Sequence, residues 1–101
     1  MEVKDFQKKV VEFVDAWDKK RKVVPNEQLT FYHIIEELGE LARDYVNNKS
    51  RPAEYKKSDF QDAIGDSLMQ IIKLAALRGL DIEKIVLDII ERERQFLESE
   101  K

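Results

Sequence analysis

The sequence contains no cysteine, only two prolines and three glycines, and one histidine. Without cysteine, neither a disulfide framework nor a thiol nucleophile is available. So few chain breakers leave little to interrupt long helices. No apolar run approaches the roughly twenty residues that span a bilayer, and Met1-Glu2-Val3-Lys4-Asp5 lacks the pattern of a signal peptide, so an intracellular, cytoplasmic protein is expected. A surplus of positive charge is also missing. The 18 Lys and Arg face 21 Asp and Glu, a formal charge of −3. That balance argues against nucleic acid or an anionic membrane as partner, and a phosphate ligand would have to arrive with its own cation.

What is present is helical periodicity. Its 101 residues suffice for one domain with one modest core. From Val3 to about Lys20, Val3, Phe6, Val10, Phe13, Val14 and Trp17 recur at steps of three and four, the pattern of an amphipathic helix. Phe6, Phe13 and Trp17 form an aromatic stripe, expected to be core. Lys19-Lys20-Arg21-Lys22 suits a helix C-terminus, and Pro25-Asn26 breaks the pattern. A second helix starts between Asn26 and Thr30 and is predicted to end at Asn47-Asn48. Ser58-Asp59-Phe60-Gln61 reads as a capping box opening a third helix. It runs to about Arg78, where Gly79 stops it, and its middle from Ile64 to Leu77 is apolar nearly all round, which predicts burial on more than one side. Asp81 caps a fourth helix whose stripe is Ile82, Ile85, Val86, Ile89 and Ile90. The fold class is therefore all-α, an antiparallel bundle of four main helices.

Glu36-Glu37-Leu38-Gly39-Glu40 crowds carboxylates at helical spacing inside an apolar pattern. Residues three and four apart share a face, so Glu37 or Glu36 converges with Glu40, and like charges there repel unless a cation intervenes. A hard divalent ion with oxygen ligands is the natural neutraliser. Asp62 and Asp66 make a second acidic pair downstream, and Gly65 beside Asp66 repeats Gly39 beside Glu40. Two glycines would let the helices approach closely where the acids meet. Lys73, seven residues beyond Asp66 on its face, is the best-placed phosphate donor, with Arg94 behind it. His33 lies four residues before Glu37 and is a candidate contact to phosphate or base. Trp17 is a candidate stacking surface for a base and Asn26 a reader of its edge.

Glu36-Glu37-Leu38-Gly39-Glu40-Leu41 resembles the EExxE signature of the MazG-like, all-α nucleoside triphosphate pyrophosphohydrolases. The segment from Asp62 to Leu68, an apolar helix, Arg78-Gly79-Leu80-Asp81 and a further helix are similar to that family's second motif region. Likeness extends from about Leu29 to Arg94. It implies a homodimer or homotetramer that binds magnesium, with manganese a possible substitute, and cleaves a nucleoside triphosphate to a monophosphate and pyrophosphate. The resemblance assigns Glu37, Glu40 and Asp66 as metal ligands and Glu36 as the leading glutamate. The family's ExxD pattern requires an acid at position 63, and this chain has Ala63. Asp62 is the substitute at hand. Either Glu36 or Glu40 would accept the proton of the attacking water. Two alternatives follow: an enzyme like phosphoribosyl-ATP pyrophosphohydrolase, or a degenerate homologue that binds nucleotide or metal without turnover.

Overall fold

A computed structural model describes residues 1–99. These described residues form four helices, α1 Val3–Lys20, α2 Glu27–Ser50, α3 Lys57–Leu77 and α4 Ile82–Ser99, with one 3₁₀ turn at Pro52–Glu54. Among the described residues there is no strand, and no helix is long and apolar enough to cross a membrane.

The helix ends show what local sequence controls. Past α1, Lys22 takes a left-handed φ of 59°, and the Val23 and Lys22 N–H groups return to the carbonyls of Asp18 and Lys19. Gly79 adopts φ 67° after α3, where Leu80 and Gly79 donate to Ala75 and Ala76 in the same motif. Asn26 Oδ1 accepts from the Leu29 N–H at 3.0 Å, opening α2, and Asp81 Oδ1 accepts from the Lys84 N–H at 3.2 Å, opening α4. Two expected boundaries move. Helix α2 continues to Ser50 because Arg51, the residue before Pro52, is the first one pushed out of the helical region, at φ −140°. The capping box does not form: α3 starts at Lys57, ahead of Ser58, and the Lys56 carbonyl takes the N–H groups of Asp59 and Phe60 instead.

Helices α2 and α3 form an antiparallel pair with the most extensive packing in the molecule, and α1 lies across one side of it against α3. The core is Val10 and Val14 of α1 around Ile72 of α3, flanked by Val11, Met69 and Ile82. Helix α4 rests on α1 and buries no residue of its own. Gln7 secures that junction, donating to the Leu80 carbonyl and accepting from the Ile82 N–H, both at 3.0 Å.

Burial falls short of what the pattern predicts. Of the α3 stretch from Ile64 to Leu77 only Ser67, Ile72 and Ala75 are buried; Ile64, Leu68, Ile71 and Leu77 are exposed. Phe6, Phe13 and Trp17 are exposed as well, so the aromatic stripe is not core. Nor do the glycines mark a tight crossing. A Cβ at Gly39 or Gly65 would meet no atom within 4 Å.

Candidate active site

Helix α2 turns Glu37 inward because Thr30, Ile34 and Glu37 repeat at steps of four and three, and Thr30 and Ile34 are buried against the rest of the fold. The Glu37 side chain is 12% exposed, and His33 Nε2 lies 3.1 Å from its Oε1. Its other oxygen, Oε2, is buried with no hydrogen-bond partner. Burial raises the Glu37 pKa above the ordinary carboxylate range, and the charges of Glu40 and Asp66 push it further the same way, while His33 opposes them. Glu37 of α2 therefore lies close enough to Glu40 and to Asp66 of α3 for their charges to act on it.

Two cavities flank this cluster. The larger, about 690 Å³, is walled by Phe13 and Trp17 of α1, by Val23 and Val24 of the following loop, and by His33, Glu36 and Glu37 of α2 with Asp66 of α3. Phe13 and Trp17 stack with ring centroids 6.0 Å apart, and the Arg21 guanidinium lies 6.0 Å from the Trp17 ring. The second, about 440 Å³, is bounded by Glu40, Asp44 and Asn47 of α2 and by Asp59, Asp62, Ala63 and Asp66 of α3. Asp66 borders both. Asp62 thus shares a hollow with Glu40 and Asp66, and the small side chain of Ala63, 4% exposed, lies in its wall.

Oxygen donors on facing helices, one of them buried and unpartnered, fit a hard divalent cation. Among the described residues, however, no three His, Asp or Glu side chains converge closely enough to grip an ion in their present rotamers. Glu40, Asp62 and Asp66 are all exposed.

The basic candidates fare differently. Lys73 reaches the larger cavity, but its Nζ lies 2.6 Å from Asp18 Oδ2, with the two side chains 11% and 10% exposed. Its charge is already paired with a carboxylate, so a phosphate in the cavity would compete with Asp18 for it. Arg94 is exposed on α4, 3.8 Å from Glu91, and does not border either cavity. Asn26 is committed to capping α2, so reading a base edge is not its first task.

Sequence reasoning missed Asp18, Arg21 and Gln70. Asp18 follows Val10 and Val14 at steps of four on the buried face of α1, a signal that was present. Arg21 was concealed in the charged run Lys19–Lys22. Gln70, whose Oε1 is buried without a partner beside the larger cavity, had no distinguishing pattern. Comparison with protein-family models, curated proteins and solved structures gave no match to this chain.

Proposed function

We propose that this chain is a MazG-like, magnesium-dependent nucleoside triphosphate pyrophosphohydrolase that acts on the cytoplasmic nucleotide pool as a homodimer or homotetramer. The observation that carries this reading is Glu37, a carboxylate with one unpartnered buried oxygen, opposed by Glu40 and Asp66 at the edge of a 690 Å³ cavity. Such an arrangement is unfavourable in the empty protein and becomes favourable around a cation.

Glu37, Glu40, Asp66 and Asp62 are the residues that would hold magnesium or manganese. A bound ion there supplies neutralisation of phosphate charge and a water of lowered pKa. The chain's own groups do the rest. His33 fixes the orientation of Glu37 through their 3.1 Å contact. Glu36, which borders the larger cavity while Glu40 borders the smaller, is our choice for the proton acceptor. The stacked Phe13 and Trp17 offer an apolar wall for a base, and Arg21 takes the phosphate-binding role expected of Lys73.

Incubation of the protein with magnesium and a panel of canonical and damaged nucleoside triphosphates tests this by pyrophosphate release. Turnover of at least one, abolished by Glu37→Gln and Glu40→Gln, is expected; a folded protein inert to all of them overturns it. One observation favours a second reading, a homologue that binds without hydrolysing: Ala63 lies where the family's pattern has an acid. Calorimetry with magnesium and a non-hydrolysable triphosphate then gives binding while the turnover assay stays silent.

A further inference from the structure

Past Leu41 the inward line of α2 turns polar. Thr30, Ile34, Glu37, Leu41, Asp44 and Asn47 follow one another at steps of four and three, and each is buried or half-buried. Where a helix that only packs against its neighbour would carry apolar side chains, this one carries Asp44 and Asn47. Asn47 is 8% exposed, and its Oδ1 is buried with no hydrogen-bond donor. An acceptor in that state costs stability until a donor reaches it.

Asn47 borders the smaller cavity, where its neighbours are acids. Asp44 joins it from α2, Glu54 from the 3₁₀ turn, and Asp59 and Asp62 from α3, while Glu40 and Asp66 lie toward the other end; Arg43 is the one cation among the described residues of the wall. Acids elsewhere in the fold, Asp18, Glu27 and Asp88 among them, are held in ion pairs. Among the described residues, none of these six carboxylates is. Because α2 and α3 run antiparallel, the acids make two facing rows, and the row from Glu40 to Asn47 extends along about 10 Å of helix.

That length selects the ligand. A hard divalent ion needs its oxygens gathered about 2.3–2.6 Å from one point, and among the described residues no three acids are gathered so. The hollow, about 440 Å³, instead has the size of a small-molecule pocket, roughly 300–1,000 Å³. An ammonium group brings three donors and no acceptor, which suits a wall of acceptors, and ammonium groups spaced along an alkyl chain match charges spread along a groove. The buried Ala63 gives that chain an apolar patch of wall. We propose that this hollow binds a linear aliphatic polyamine, one ammonium held by Asn47 Oδ1, Asp44 and Asp59 and the next lying toward Asp62. The catalytic reading above is centred on Glu37, which does not border this hollow. The two therefore stand or fall separately.

Titration calorimetry of the full chain with spermidine, at low salt and without magnesium or nucleotide, is the test. Saturable binding of one molecule per chain is expected, and butylamine, an alkyl chain with a single ammonium, should bind more weakly by about ten-fold or more. Asp44→Asn and Asp59→Asn keep the side-chain shape and remove its charge; each should weaken spermidine binding by about ten-fold, as should Asn47→Leu. Melting curves identify any variant that fails to fold, and the two isosteric changes keep the test decisive if Asn47→Leu does. Glu83→Gln, an equal loss of charge on α4, should leave binding unchanged, and so should Glu37→Gln. Absence of saturable heat with spermidine at about 5 mM, beyond the millimolar range of weak specific binding, overturns the proposal. So does binding that Glu83→Gln weakens as much as Asp44→Asn, the mark of a diffuse ion atmosphere, or butylamine binding as tight as that of spermidine. Magnesium bound in place of spermidine, and lost in Asp44→Asn, would assign the hollow to a metal ion instead.

Discussion

Lys73 and Asp18 form a 2.6 Å ion pair between α3 and α1, at the inner wall of the cavity that the acids also border. Such a pair fixes where α1 lies on α3 more than it adds net stability, because each charge has been taken out of water to make it.

Breaking the pair from one side should therefore be costly. Asp18→Ala leaves an uncompensated ammonium in a largely buried position, for which a loss of about 3–5 kcal/mol is expected. The double variant Asp18→Leu with Lys73→Met should recover most of that loss. Urea unfolding of the single and double variants gives the comparison, and a single variant as stable as the wild type would contradict a closed ion pair.

Glu37 should make stability depend on pH with a sign opposite to that of an ordinary salt-bridged acid. Its pKa is raised in the fold by burial, Glu40 and Asp66, so the folded chain holds this proton more tightly than the unfolded chain does. The group's contribution thus grows as pH falls from neutral through its raised value, and it levels off below the unfolded value near 4.5. At neutral pH its ionised form is a burden on the metal-free protein. Glu37→Gln should then raise the melting temperature by roughly 1–4 °C at pH 7, the scale of a fraction of a kcal/mol in a domain this size. The advantage over wild type should vanish toward pH 4.5. Calorimetric melting of both proteins across this range checks it.

Ala63→Glu carries two opposed expectations. Position 63 is almost fully buried, so without metal a new carboxylate there should lower the melting temperature by several degrees, of the order that an unpaired buried acid imposes. With millimolar magnesium the loss should be recovered and pyrophosphate release should rise about ten-fold or more, the scale of one added metal ligand. Asp62→Asn should reduce magnesium binding in the wild type and have little effect in the Ala63→Glu background. An Ala63→Glu variant indifferent to magnesium would separate this position from the metal site.

The two left-handed residues should respond in opposite directions to exchange. Lys22 at φ 59° is strained by its Cβ, and Gly79 at φ 67° is not. Lys22→Gly should stabilise the chain by about 0.5–1 kcal/mol, and Gly79→Ala should destabilise it by about 1 kcal/mol. Denaturant midpoints of both variants settle the signs.

The features legible in the sequence are those decided within one helical turn. Gly79 and Asp81 act on backbone groups three to five residues away, and Glu37 and Glu40 share a face by spacing alone, so the end of α3, the start of α4 and the acidic side of α2 are readable. Ser58 misleads for a local reason too: a backbone carbonyl, that of Lys56, offers the first turn of α3 what the hydroxyl would have supplied. Lys73 and Trp17 mislead because their environment comes from another helix. Nothing near Lys73 in the chain announces Asp18, and nothing near Trp17 announces that α1 turns Phe13 and Trp17 to a cavity and not to a core. The exposed faces of α3 and α4 teach the same lesson: periodicity reports that a surface is apolar, and only tertiary structure reports whether the same chain covers it.

Glu37 and Leu38 are neighbours in sequence that project about 100° apart on α2, Glu37 toward the acids and Leu38 into an exposed apolar stripe. Helical phase is thus held in common by two unrelated tasks. One residue inserted between Ile34 and Glu37 would rotate everything beyond it by roughly 100°, withdrawing Glu37 and Glu40 from Asp66 and turning Leu38 and Tyr45 away from the stripe of α3 in the same stroke. Substitutions can be absorbed position by position along α2, but a change of length cannot, unless it comes in whole heptads or in the turn around Pro52. In this helix the quantity under constraint is the count of residues as much as their chemistry.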